Sequence, residues 1–128
     1  MTRKQRRILE LSDLVRDGDW WTTYTAMSLA VYGHEKGRQT VGSTLKYYGE
    51  ERSAHRILER GGRIAGDWIG VGGGPEEAKR RLCTEGIWDE VNDCARADRY
   101  LDADGIRRLE RKATEGPHPS MPQWMWSQ

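Results

Sequence analysis

The pair Gly61-Gly62 constrains the fold of this chain most, because it separates two short apolar segments. The segment HRIL (55–58) precedes the pair closely, and RIAG (63–66) follows it. Two consecutive glycines suit a tight turn, since both tolerate positive φ. The sequence therefore predicts a β-hairpin over residues 55–66.

Two short helical segments precede this hairpin. The first favours helix from Thr23 onward, with Thr22 or Thr23 as its N-cap, and the Gly33-His34 pair ends it. The second follows after three or four residues and covers roughly 36–48. Two short helices joined by a glycine-containing turn form a helix-turn-helix unit, here residues 23–48. A helix-turn-helix unit followed by a β-hairpin is typical of a winged helix.

Three further helices flank this unit. Apolar residues at helical spacing predict one over 4–16, Pro75 opens another over 75–85, and Asp102 caps a last short one. The tail 114–128 has three of the four prolines and no periodicity, so we expect disorder there. The predicted fold is mostly α with a small β-hairpin: a winged helix-turn-helix with flanking helices, in one domain over residues 1–113.

The composition excludes some classes of protein. Hydrophobic residues make up 36% and charged residues 32%, which is typical of a soluble domain. The chain has no phenylalanine and six tryptophans, so buried aromatic rings must carry a polar edge. No apolar run is long enough for a signal peptide or a membrane span. Together with two cysteines that lack metal-ligand spacing, this predicts a cytoplasmic protein with no membrane contact.

The candidate motifs for cofactor and metal binding each lack required residues. The glycine-rich GVGGGPEE lacks both the dinucleotide fingerprint and the Gly-Lys-Ser/Thr of a phosphate-binding loop. The histidines His34, His55 and His118 show no ligand spacing with each other or with the cysteines. The sequence therefore predicts no cofactor and no metal site.

Four segments follow one another in a characteristic order: TTYTAMSLAVYG, RQTVGSTLK, AHRILERGGRIAG and AKRRLCTEGI. Their order and spacing resemble the DNA-binding domain of O6-alkylguanine-DNA alkyltransferases. They resemble more closely the non-enzymatic relatives of those enzymes, the alkyltransferase-like proteins. The resemblance covers about residues 18–88, over half of the chain.

The resemblance implies how DNA is distorted. The family's tyrosine, which presses on a phosphate of the target nucleotide, matches Tyr24. The family's arginine, which fills the gap left in the base stack, falls on Gln39 by counting, with Arg38 one residue earlier. One residue is about 100° around a helix, so both positions stay candidates. Gly42 matches the small residue that lets the helix approach the groove, and helix–helix packing is its alternative role.

The resemblance also implies a lesion pocket without an acceptor. The alkyltransferases carry Pro-Cys-His-Arg, whereas this chain has Ser53, Ala54, His55 and Arg56. Alanine is no nucleophile, so the resemblance implies that the protein is not an enzyme and that His55 and Arg56 hold the hairpin and the pocket wall. The segment DWIGVGGG lies where the family has a lid, with Trp68 as a wall. The implied pocket residues are Tyr24, Ala54, His55, Arg56 and Trp68.

The function implied is non-catalytic binding of double-stranded DNA, with recognition of alkylated or damaged guanine by nucleotide flipping. The expected DNA contacts are Thr23, Tyr24, Arg38, Gln39, Thr40, Gly42, Ser43 and Lys46, with Arg52 and Arg60 as further phosphate contacts. The sequence shows no dimer seam, so we expect a monomer, and a repair protein is an expected partner. The alternative is a winged-helix regulatory or protein-interaction module without lesion recognition, whose base contacts would include Thr44 and Tyr47.

Overall fold

The computed structural model describes residues 1–48, 54–66, 68 and 73–115. Most of these residues are helical. The α-helices are α1 (Arg3–Asp17), α2 (Tyr24–Tyr32), α3 (Arg38–Tyr48), α4 (Pro75–Thr84) and α5 (Ala103–Glu115). The helices predicted at 4–16, within 23–48, at 75–85 and after Asp102 are thereby confirmed. None of the helices in the described part is long and apolar enough to cross a membrane.

The strands are short and form two separate two-stranded sheets. They are β1 (Thr22–Thr23), β2 (Ile57–Leu58), β3 (Trp88–Asp89) and β4 (Cys94–Ala95). Strands β1 and β2 pair in parallel, with Thr22 opposite Ile57. Strands β3 and β4 pair antiparallel and form a hairpin that the sequence did not predict.

Local hydrogen bonds explain where the helices begin. Thr2 and Gln5 form a reciprocal capping box at the start of α1. The Thr23 hydroxyl accepts a hydrogen bond of 3.0 Å from the backbone N–H of Ala26 and so caps α2. The Asp102 carboxylate accepts one of 2.7 Å from the Gly105 backbone N–H, which confirms the predicted cap of α5.

The turn between α2 and α3 is held by one buried hydroxyl. Ser28 donates a hydrogen bond of 2.6 Å to the carbonyl of His34 and accepts one of 2.9 Å from the backbone N–H of Gly37. Residues Glu35–Gly37 form a single 3-10 turn that leads into α3. The two helices therefore pack against each other across a short, fixed connection.

The interior has two main apolar clusters. The larger joins α1, α2, α3 and α5, and its buried residues include Ile8, Met27, Val41 and Ile106. The second contains Trp21, Leu58, Leu82, Ile87 and Ala95, and so joins α4 to both sheets. The buried Trp21 indole donates a hydrogen bond of 2.6 Å to the Arg96 carbonyl, as predicted for a ring with a polar edge, whereas the buried Trp88 Nε1 has no partner among the described residues.

The predicted hairpin at 55–66 is present only near its turn. Gly61 and Gly62 adopt positive φ values of 83° and 79°, and Glu59 forms an isolated antiparallel bridge with Arg63. The preceding Ala54–Arg56 is a 3-10 turn, and Ile57–Leu58 pairs with β1 instead of with residues 63–66. The strands are thus shorter than predicted.

The Gly-Gly turn docks onto the second sheet. The Gly62 carbonyl accepts a hydrogen bond of 2.9 Å from the backbone N–H of Ala95. A Cβ at position 62 would lie 2.9 Å from that nitrogen, whereas a Cβ at Gly61 would meet no described atom within 4 Å. This contact joins the middle of the chain to β4.

The end of the chain bears on the predicted domain boundary. Helix α5 continues to Glu115 and so passes the expected start of the tail at residue 114. Residues 116–128, for which the sequence predicts disorder, lie outside the described residues.

We predict that Gly61→Ala and Gly62→Ala differ in cost. Both place a Cβ at positive φ, which costs about 1–2 kcal/mol. Only the Cβ added by Gly62→Ala would also collide with the backbone of Ala95. We therefore expect this variant to lose about 3 kcal/mol of unfolding free energy, from backbone strain and overpacking together. Urea unfolding of the two variants measures this, and equal losses would show that the turn does not dock on β4.

Candidate functional site

A cleft of about 1260 Å³ lies in the described part of the chain. One side, the helical wall, is lined by Thr23, Tyr24, Arg38, Gln39, Gly42, Ser43 and Lys46. The other side, the turn wall, is lined by Glu59, Arg60, Gly61, Cys94, Ala95, Ala97 and Tyr100. Ala54 and Trp68 also line the cleft. The cleft therefore joins residues from α2, α3, the Gly-Gly turn and β4.

Most of the residues predicted to contact DNA lie in this cleft. Thr40 is the exception, since its side chain is exposed and is not among the lining residues. Of the predicted pocket residues, Tyr24, Ala54 and Trp68 line the cleft, whereas His55 and Arg56 do not. Arg52 and the lid residues 67 and 69–72 lie outside the described residues.

The start of α2 places Tyr24 in the cleft. Thr23 is only 8% exposed, and its hydroxyl is occupied by the helix cap, so its side chain serves the helix rather than a ligand. Tyr24, the first residue of α2, is half-buried. The cap therefore fixes the direction in which the tyrosine leaves the backbone.

The start of α3 places both candidate gap-filling residues in the cleft. Arg38 is the first residue of α3, Gln39 the second, and both are exposed. Gly42, Ser43 and Lys46 follow at spacings of three and four, which puts them on the same helix face. Thr44 lies elsewhere: it is buried and donates a hydrogen bond of 2.7 Å to the Thr40 carbonyl, so it is unavailable as a base contact.

Gly42 does not serve close helix packing. A Cβ added there would have one near neighbour among the described atoms, Tyr24 Cε1 at 3.9 Å, which is an ordinary contact distance. The position therefore has room for a methyl group, and that group would project beside Tyr24 at the cleft. This geometry favours the role implied by the resemblance over the packing alternative.

Ala54 and Trp68 are buried residues that line the cleft. Ala54 is 5% exposed and Trp68 6% exposed. Trp68 packs with Ala65 and Ala78, and the Arg81 guanidinium lies 5.9 Å from the centre of its ring. Both residues belong to buried apolar clusters.

A buried ion-pair cluster supports this part of the cleft. Arg56, 2% exposed, lies with its Nη2 2.6 Å from a carboxylate oxygen of Glu85 and donates from Nη1 to the Trp20 carbonyl at 2.9 Å. His55 Nε2 lies 2.8 Å from the other carboxylate oxygen of Glu85. Glu85 follows α4 directly, so the cluster fastens the segment that carries Ala54 to that helix. This supports the structural role inferred for His55 and Arg56.

Sequence reasoning missed Glu85, since nothing local marks it as the partner of a residue in another element. Its burial opposes ionisation, but its hydrogen bonds and electrostatic interactions with His55 and Arg56 outweigh this effect. The pKa of Glu85 therefore lies below its ordinary value of 4.5. The carboxylate stays ionised and compensates the buried guanidinium.

The charges along the cleft are mixed. Arg38, Lys46 and Arg60 are exposed, and none of them forms an ion pair with a described residue. Glu35 and Glu59 also line the cleft and are exposed. The cleft is thus weakly basic, and no group of three or more potential metal ligands occurs in the described part of the chain.

No family model, curated protein or solved structure matches this chain. The likeness to the alkyltransferases therefore rests on the four quoted segments.

We predict that Glu85→Gln destabilises the protein by about 3 kcal/mol at neutral pH, because it leaves the buried Arg56 with only the exposed carboxylate of Asp19, 3.9 Å away, as a counter-charge. Glu76→Gln, an exposed position on the same helix, is the control and should change stability by less than about 0.5 kcal/mol. Urea unfolding measures both. A Glu85→Gln protein as stable as the control would show that the cluster contributes nothing.

The same pair of proteins has an expected pH dependence. Since the folded-state pKa of Glu85 is lowered, its stabilisation is present above the ordinary value of 4.5 and is lost as pH falls through the folded-state value. The difference between wild type and Glu85→Gln should therefore shrink between about pH 7 and about pH 3. A difference that stays constant over this range would contradict the ionised carboxylate.

Proposed function

We propose that the protein binds double-stranded DNA and holds one nucleotide, turned out of the duplex, in the cleft. The observation that carries the proposal is the convergence of Tyr24, the start of α3, Ala54 and Trp68 on one cavity. These residues come from four separate segments, and the resemblance assigns each of them to the same task.

The physical cost of extrusion suggests the target. Turning a base out of the stack costs a few kcal/mol, and least where pairing is already weakened. An alkylated or otherwise damaged guanine is therefore the natural ligand. Tyr24 would press on its phosphate, and Arg38 or Gln39 would occupy the vacated place. Arginine suits this better, because it both stacks on neighbouring bases and pairs with the orphaned base.

The proposal includes no transfer of the alkyl group. The acceptor position is Ala54, which has no nucleophilic atom. Cys94 does line the cleft, but no described side chain hydrogen-bonds its thiol. A cysteine reacts through its thiolate, which needs a neighbouring cation or base. The protein would act as a cytoplasmic monomer that marks the lesion for a repair protein.

A second candidate function follows from the outer face of α3. Thr40 is exposed and Tyr47 is 75% exposed, and neither residue lines the cleft. These side chains suit a winged-helix regulator that reads intact duplex or contacts another protein. Such a protein would show no preference for damaged DNA.

We predict that Tyr24→Ala and Arg38→Ala each weaken binding to a duplex with O6-methylguanine more than binding to the intact duplex. The difference should be about tenfold, or 1.4 kcal/mol, because only extrusion uses both side chains. Fluorescence anisotropy measures the affinities, 2-aminopurine beside the lesion reports unstacking, and mass spectrometry of the same mixtures should find both cysteines unmodified.

Tyr48→Ala is the matched control for this experiment. Tyr48 is 45% exposed at the end of α3, outside the cleft-lining set, and its loss should leave the lesion preference unchanged. If the wild type shows no lesion preference and no unstacking signal, the regulator is the correct assignment.

We predict that Gly42→Ala separates stability from binding. Alanine is a better helix former than glycine by about 0.5–1 kcal/mol and meets no close described neighbour, so the melting temperature should rise. The added methyl narrows the approach to DNA and should lower affinity about tenfold, or 1.4 kcal/mol. Thr114→Ala, an exposed position on α5 outside the cleft-lining set, is the control for affinity. Unchanged binding by Gly42→Ala would remove α3 from the interface.

A further inference from the structure

We infer that Tyr100, supported by Trp21, is a second base-binding surface in the cleft and stacks on the base next to the extruded nucleotide. The inference rests on the proposed function and extends it to a neighbouring nucleotide. It concerns a residue outside the four segments that carry the resemblance, on the turn wall of the cleft.

The two rings have the geometry of a supported stacking surface. Trp21 is 4% exposed, whereas Tyr100 is 40% exposed and lines the cleft. Their ring centres lie 4.9 Å apart with an angle of 48° between the planes. One side of the tyrosine is thus packed on a fixed indole, and the rest is open to a ligand. Aromatic side chains presented in this way stack on nucleic-acid bases irrespective of sequence.

The backbone holds this pair in place before any ligand arrives. Trp21 donates its backbone N–H to the Arg99 carbonyl at 2.9 Å and accepts from the Leu101 N–H at 2.8 Å. These two bonds clamp Tyr100 from both sides along the chain. Binding therefore needs little ordering of the tyrosine, which lowers its entropic cost.

The size of the cleft fits more than one nucleotide. Its volume is about 1260 Å³, whereas pockets for drug-sized ligands are roughly 300–1,000 Å³. A single nucleoside beside Tyr24, Ala54 and Trp68 would fill only part of this volume.

A cation is available for the second phosphate. Arg60 is exposed on the turn wall and forms no ion pair with a described residue, so it can contact a phosphate oxygen. The neighbouring Glu59 is also exposed on that wall and would repel a phosphate placed directly over it. The backbone of the strand must therefore pass on the Arg60 side.

The test is a set of duplexes with O6-methylguanine in which each neighbouring nucleotide is replaced, one at a time, by a tetrahydrofuran abasic residue. Tyr100→Ala should bind the parent duplex about tenfold more weakly than wild type. For one abasic position, the affinity of wild type should fall to that of Tyr100→Ala, so that the two proteins bind this duplex equally. Tyr100→Phe, which keeps the ring, should bind like wild type.

Tyr100→Leu keeps apolar packing on Trp21 without an aromatic ring. It therefore separates the loss of base stacking from a loss of folded structure. With its melting temperature preserved, it should show the same loss as Tyr100→Ala. Equal affinity of Tyr100→Leu and wild type on every duplex would overturn the inference. The inference would also be overturned if the Tyr100 variants bound more weakly than wild type to every one of the abasic duplexes.

A single-stranded oligothymidylate distinguishes this inference from the proposed function. Stacking on Tyr100 needs no lesion, so Tyr100→Leu should weaken oligothymidylate binding even if wild type lacks a lesion preference. That result would exclude nucleotide extrusion and support the stacking surface. If Tyr100→Leu kept the lesion preference and bound oligothymidylate like wild type, the proposed extrusion would stand and the stacking surface would be excluded.

Discussion

The rest of the site depends on the carboxylate of Glu85, which compensates a guanidinium that is almost fully buried. Arg56 has no other described carboxylate nearer than Asp19, at 3.9 Å and largely exposed. A buried charge without a close counter-ion is strongly destabilising, so the pairing decides where the segment 54–56 can lie. Because Arg56 also holds the Trp20 carbonyl, one cluster ties α4 and the link from α1 to β1 together.

The walls of the cleft follow from that arrangement. Ala54 precedes the cluster and faces the cavity, and β2 follows it and pairs with β1, whose last residue caps α2. The position of Tyr24 is therefore coupled through β1 to the position of Ala54. On the other side, the Gly62–Ala95 hydrogen bond attaches the second sheet. The helical wall comes from residues 23–46 and the turn wall from residues 59–61 and 94–100, and the backbone hydrogen bonds of Trp21 with Arg99 and Leu101 connect these parts of the chain.

Under the proposed function, the cleft holds a base and does not react with it. Its lining offers aromatic rings and a few exposed cations, and Ala54 stands where the resemblance places the acceptor cysteine. The ion-pair cluster of His55, Arg56 and Glu85 is used for support. A protein of this kind would derive its specificity from the cost of extruding a base, which is lowest for a weakened pair. The weakly basic lining would give modest, salt-dependent affinity for any duplex.

The sequence by itself determined the helices, their caps and the Gly-Gly turn, because these depend on residues within a few positions of each other. The resemblance of four segments also indicated residues of the helical wall, among them Tyr24, Arg38 and Gly42. The parallel pairing of β1 with β2, the role of Glu85 and the presence of Tyr100 in the cleft were decided only by the tertiary structure. Parallel pairing, a buried counter-ion and a stacked aromatic each join residues far apart along the chain, and neither periodicity nor capping specifies such a partner.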